Sequence, residues 1–154
     1  MQSLWLCFVI VTVLTVAHGQ VERKDVRSIA SGTSFGMCAG YCQQSINVTL
    51  NPLQVAALKR PNFDQESYPP VHRSFPFSAS QWEELVSRLN LKTFLALENT
   101  IGCPDCADGG AEWIQVDWID GTKRVTFDYG RTVNGIEELI KQLRQMREEY
   151  VSQL

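Results

Sequence analysis

The stretch Glu112-Trp113-Ile114-Gln115-Val116-Asp117-Trp118-Ile119-Asp120-Gly121, running on through Thr122 to Tyr129, decides the fold class. Trp113, Gln115 and Asp117 alternate with Ile114, Val116 and Trp118, which is the period of a strand. Asp120-Gly121 is expected to supply the positive φ angles of a tight hairpin. Lys123 to Tyr129 then returns with Val125, Phe127 and Tyr129 on one side. The reading is a β-hairpin over residues 112–129.

Working outward, Asn134 is placed to cap a final helix, with Glu137 at the matching third position. Ile136, Leu139, Ile140, Leu143 and Met146 make an apolar stripe at helical spacing, read as core. Glu137 and Glu138 near its start, with Lys141, Arg144 and Arg147 later, suit the helix dipole. Upstream of the hairpin, Ser80-Gln81-Trp82-Glu83 has capping-box spacing, so a helix is expected to begin near Ser80. Trp82, Leu85, Val86 and Leu89 share one of its faces, Asn90 ends it, and Leu91 to Leu97 fits a further short helical turn.

Val71 to Phe77 looks extended, and Pro76 favours a sheet edge. Arg60 to Pro70, with three prolines, reads as a loop, and Gln54 to Lys59 fits either a strand or a helical turn. In Cys42 to Leu50, Ile46, Val48 and Leu50 alternate with Asn47 and Thr49, a half-buried strand ended by Asn51-Pro52. Val26 to Ser31 makes a first strand. The expected architecture is α+β, an antiparallel sheet with two helices packed on one face.

Met1 to Ala17 carries no charged side chain and is nearly all apolar, and Ala17-His18-Gly19 offers small residues at the −3 and −1 positions of a cleavage site. The run is shorter than the ~20 residues of a spanning helix. The expected organisation is a signal peptide over 1–19, a flexible lead-in over 20–25, one α+β domain over 26–150 and a frayed end over 151–154. The expected location is secreted, with no membrane attachment after cleavage. The formal net charge of −3 is spread among interspersed charges, and no basic patch appears, which argues against nucleic acid as a partner.

Cys7 would leave with the signal peptide, so the chemistry rests on Cys38, Cys42, Cys103 and Cys106. An even count in an oxidising compartment points to disulfides, and four cysteines allow three pairings. Cys103-Pro104-Asp105-Cys106 fits a turn with proline second, whose ends lie within ~7 Å. Cys38 and Cys42 on a strand would stand ~13 Å apart, and they can bond only if Ala39-Gly40-Tyr41 folds back. Chain entropy favours a crossed pairing, at roughly 4 kcal/mol against roughly 2 for a local loop. The pairing stays open. Four thiolates at C-x₃-C and C-x₂-C spacing are also the donor set of a structural zinc site. Cys103 and Cys106 have the spacing of a redox dithiol, but a strand rather than a helix follows, and Asp105 and Asp108 would raise the thiol pKa.

Asn47-Val48-Thr49 is an N-glycosylation acceptor, with its asparagine expected on the outward face of a strand. Asp105, Asp108 and Glu112 are hard oxygen donors for calcium at a spacing that matches no EF-hand loop, so a solvated turn is the reading. His72 is the only histidine beyond His18, and no serine elbow occurs, which leaves a hydrolytic triad unsupported. Trp82, Trp113 and Trp118 read as core or sheet-face residues rather than a ligand platform.

Gly36-Met37-Cys38-Ala39-Gly40-Tyr41-Cys42 and Gly102-Cys103-Pro104-Asp105-Cys106-Ala107-Asp108-Gly109-Gly110-Ala111-Glu112-Trp113, with the Trp82-Glu83-Glu84-Leu85 helix and the Val125 to Arg131 strand, cover most of the chain. Together they resemble a family of small secreted and lipoprotein domains of unknown function, better known from bacteria. The resemblance implies no activity and assigns no residue a role. This chain lacks the lipid-attachment cysteine of the lipoprotein members, which argues for free secretion. The functional expectation is a secreted, non-enzymatic, disulfide-stabilised module without a cofactor that binds an unknown extracellular partner. The alternatives are an extracellular thiol–disulfide oxidoreductase using Cys103 and Cys106, and a structural zinc protein using all four cysteines.

Overall fold

The alternating segments assemble into a single seven-stranded sheet in the computed structural model of the protein, which describes residues 20–154. The expected signal peptide lies outside the described residues. In chain order the elements are β1 (Val26–Ser34), β2 (Gln43–Leu50), β3 (Leu53–Arg60), β4 (Val71–Pro76), α1 (Ala79–Ser87), α2 (Leu91–Ala96), β5 (Thr100–Ile101), β6 (Ala111–Trp118), β7 (Gly121–Asp128) and α3 (Glu137–Val151). The strand order is β4-β3-β2-β1-β6-β7-β5. Every neighbouring pair is antiparallel except β5 with β7. The class is therefore α+β with a mostly antiparallel sheet, larger than expected, and with three α-helices among the described residues.

Register explains the core. Ile29 of β1 faces Val48 of β2 and Val116 of β6, and Ser31 faces Ile46 and Ile114. Val48 and Ile46 face Val55 and Ala57 of β3, and Ile114 faces Val125 of β7. All of these are buried, and the apolar ones form one cluster with Trp82, Leu85 and Leu89 of the α1 region, Phe94 of α2, and Leu139, Ile140 and Leu143 of α3. α3 lies against β1, β2 and β3. Lys123 of β7 donates to the carbonyl oxygens of Leu95 (3.0 Å) and Leu97, satisfying orphan groups at the end of α2.

The same register fixes where the loops emerge. Ser34 ends β1 opposite Gln43 at the start of β2 and Ala111 at the start of β6, and Ala111 lies opposite Asp128 at the end of β7. Loops 35–42, 102–110 and 129–136 therefore leave from one end of the sheet.

Several local expectations are corrected. The hairpin forms, but Gly121 pairs with Trp118 inside the ladder, so the turn residues are Ile119 and Asp120. Neither Asp120 nor Gly121 has a positive φ. The glycine is needed for space instead, since a Cβ there would sit 2.5 Å from the Trp118 ring. α1 is capped by Ser78, whose Oγ accepts from Gln81 N while Gln81 Oε1 accepts from Ser78 N. Asn90 does not end α1 but caps α2, accepting from Thr93 N. Asn134 does not cap α3: its N-cap is Ile136, and Glu137 accepts from Gly135 N. Gln54 to Lys59 resolves as strand β3, and β4 is at the sheet edge as Pro76 suggested. At the chain end, where fraying was expected, Val151 is buried and the Leu154 carbonyl accepts from Lys59. Among the described residues no helix is long and apolar enough to cross a membrane.

Candidate functional site

The four cysteines close two local loops, Cys38–Cys42 and Cys103–Cys106, with Cα–Cα separations of 5.6 and 5.5 Å. The crossed pairing that chain entropy favours does not form. Gly40, at φ +89°, folds the first loop back so that Cys42 N bonds the Gly40 carbonyl. In the second loop Cys106 N bonds the Cys103 carbonyl, with Pro104 second and Asp105 third at φ +61°. That is the pattern of a type II turn. The zinc expectation is not supported by this arrangement: among the described residues no three metal-ligating side chains converge.

Asp105 joins the two loops. Its carboxylate accepts from Gly36 N at 2.9 Å and from Gly110 N at 3.1 Å, and its own N–H donates to the Gly110 carbonyl. A Cβ at Gly36 would sit 2.5 Å from that carboxylate, and one at Gly110 would sit 2.3 Å from the Phe35 ring. Phe35 meets Tyr129 edge to face, with centroids 4.9 Å apart. Asp105 is thus a structural acceptor, and Glu112 lies in a different cluster. The three candidate calcium ligands are not brought together.

Glu112, the second residue of β6, lies on the same face as Ile114 and Val116 and is only 1% exposed. A carboxylate there needs charged donors, and α3 supplies them from one face. Arg144 donates through Nε (3.0 Å) and Nη2 (2.7 Å) to Glu112 Oε2, and Arg147 Nη2 donates to Oε1 at 2.8 Å. Arg147 Nη1 also donates to Ser31 Oγ at 2.6 Å, and Arg144 Nη2 to the Arg131 carbonyl at 2.6 Å. Burial pushes the Glu112 carboxyl up, but the bonds and charges of Arg144 and Arg147 outweigh it and hold the group below the usual glutamate range.

Above this triad lies a cleft of about 500 Å³ lined by Thr33, Phe35, Tyr41, Cys42, Gln44, Tyr129, Gly130, Arg144, Arg147 and Glu148. Among the described residues its lining carries guanidinium donors, hydroxyls and three aromatic rings, with no histidine and no free thiol.

The other candidates stand apart from it. Asn47 is exposed on β2, between Ala30 of β1 and Ala56 of β3. His72 is exposed on β4. Trp82 is core, while Trp113 packs over Gly32 with the Arg124 guanidinium 4.0 Å above its ring. The Arg144–Glu112–Arg147 triad was missed in the sequence, although the parity of Glu112 with Ile114 and Val116 was the available signal. Compared with protein-family models and with curated proteins, the chain matches none.

Proposed function

We propose that the protein is a secreted, non-enzymatic binding module whose ligand or extracellular partner occupies the cleft above the Arg144–Glu112–Arg147 triad. One observation carries this reading: the cleft sits where the loops 35–42 and 129–136 leave the sheet, and Asp105 ties the first of them to the second disulfide loop. A rigid, partly apolar concavity with a few fixed polar groups is the usual form of a binding site. In this reading the helices share the face of α3, because the apolar residues of α1 and α2 join its core cluster. The opposite face presents Asn47, which carries a glycan when the chain passes through a eukaryotic secretory pathway. Secretion itself rests on the apolar N-terminal segment and on the two disulfides.

The oxidoreductase alternative draws on the exposure of Cys103 and Cys106. It is less well supported, because Cys106 to Asp108 is a short 3₁₀ turn rather than an α-helix N-terminus, and because Asp105 and Asp128 lie beside the loop. Two experiments separate the readings. Screening fluorinated fragments against ¹⁵N-labelled protein is expected to give hits that shift the amides of Phe35, Tyr41 and Tyr129. Insulin reduction is expected to show no turnover above the dithiol reductant alone. A blank screen would overturn the binding-module reading, and insulin turnover beside it would favour the oxidoreductase.

A further inference from the structure

The cleft floor is unbalanced in charge. The side chains of Glu112 and Arg147 are 2% and 8% exposed, and that of Arg144 is 29% exposed. One carboxylate faces two guanidinium groups, so the triad keeps a surplus positive charge largely out of water. Such a charge is costly to leave uncompensated. Donors also remain: among the described residues neither Nη1 of Arg144 nor Nε of Arg147 has a hydrogen-bond partner. Glu148 also lines the cleft, but it is exposed, where solvent screens its charge. The rings of Phe35, Tyr41 and Tyr129 line the same space, and Thr33 beside them is buried.

We infer that the cleft takes a carboxylate attached to a flat apolar group: the anion completes the triad's charge balance and the flat body packs on the aromatic rings. The two donor nitrogens that remain, one on each guanidinium, can each give a charge-assisted hydrogen bond to a carboxylate oxygen. This assignment rests on the cleft being the binding surface, as proposed above.

The test titrates folded, ¹⁵N-labelled protein with phenylacetate and, separately, with its neutral isostere phenylacetamide. Phenylacetate is expected to shift the amides of Phe35, Tyr129 and Gly130 and to bind at least about tenfold more tightly than the amide, the difference that one charge-assisted contact supplies. High salt is expected to weaken phenylacetate and leave phenylacetamide unchanged. Gly-Gly-Phe with a free C-terminus, run alongside, tells a peptide terminus from a small acid by which of the two binds more tightly. Tyr129→Ser, a change at an exposed position outside the triad, is expected to weaken both aromatic ligands. Equal binding of phenylacetate and phenylacetamide in the cleft would overturn the carboxylate assignment and leave the binding-module reading standing. Fragments that hit the cleft while no carboxylate does would have the same meaning. A cleft that takes neither fragments nor carboxylates would overturn both.

Discussion

Glu112 and Asp117 belong to one strand, β6, yet they project to opposite faces and are kept ionised by different means. Glu112, in step with the core residues Ile114 and Val116, is answered by two guanidinium groups from α3. Asp117 faces the other way and accepts from neutral donors, the hydroxyls of Ser28 and Thr122 and the amide of Gln115. Burial raises both carboxyls, and the surrounding donors bring both below their usual values. For Asp117 the nearby charge of Arg124 is the smallest contribution. Burial decides where charge is required: a half-exposed carboxylate is satisfied by neutral dipoles, whereas a buried one needs formal counter-charge, and that counter-charge furnishes the floor of the cleft.

The largest expected effect breaks the buried side. Glu112→Gln leaves two guanidinium groups without a counter-ion and is expected to cost about 3–5 kcal/mol in urea unfolding. Its pH dependence follows from linkage. The folded carboxyl titrates lower than the unfolded one, so the stabilisation is full above the unfolded value of about 4.3 and is lost as pH falls through the folded value. The gap between wild type and Glu112→Gln is therefore expected to be constant near neutrality and to narrow in acid.

Asp105 is the intermediate case, a half-buried carboxylate held by backbone N–H groups alone. Asp105→Ala is expected to cost about 2 kcal/mol and to speed hydrogen exchange at Gly36 and Gly110 more than at Ile114. On the opposite face, Asp117→Asn keeps the shape and half of the acceptors, and about 1 kcal/mol is expected. Arg124→Ala removes a distant charge and a cation over the Trp113 ring, for about 0.5 kcal/mol by thermal unfolding. If Asp117→Asn cost as much as Glu112→Gln, the contrast between the two faces would collapse.

How much of this was legible follows the same division. Period-2 alternation and the amphipathic stripe of α3 are local signals, and the hairpin, β2 and the final helix were readable from them. Pro76 placed β4 at an edge because a missing donor is tolerated there. The pairing of β1 with β6 was not readable, since it joins segments far apart in sequence and no turn announces it. Cap positions slipped where two candidates compete: Ser78 and Ser80 both have an amide- or carboxylate-bearing residue three positions later, and Ser78 holds the cap. The local disulfides ran against the loop-entropy argument because the two loops each fold back on themselves, through Gly40 and through the Pro104-Asp105 turn. Glu112 was legible and misread. Proximity in sequence groups it with Asp105 and Asp108, whereas its parity along β6 sets it with Ile114 and Val116. Arg144 and Arg147 suit the helix dipole as any basic residue would, and only the fold reveals that they converge on one carboxylate.

The most direct measurement is the carboxyl ¹³C titration of Glu112 in the intact folded protein, assigned with Glu112→Gln. The midpoint is expected below the ordinary glutamate range, with a rise toward that range in Arg147→Met. A midpoint at or above the ordinary value in the wild type would mean that burial, not the two arginines, governs this group, and it would remove the charged floor on which the cleft is built.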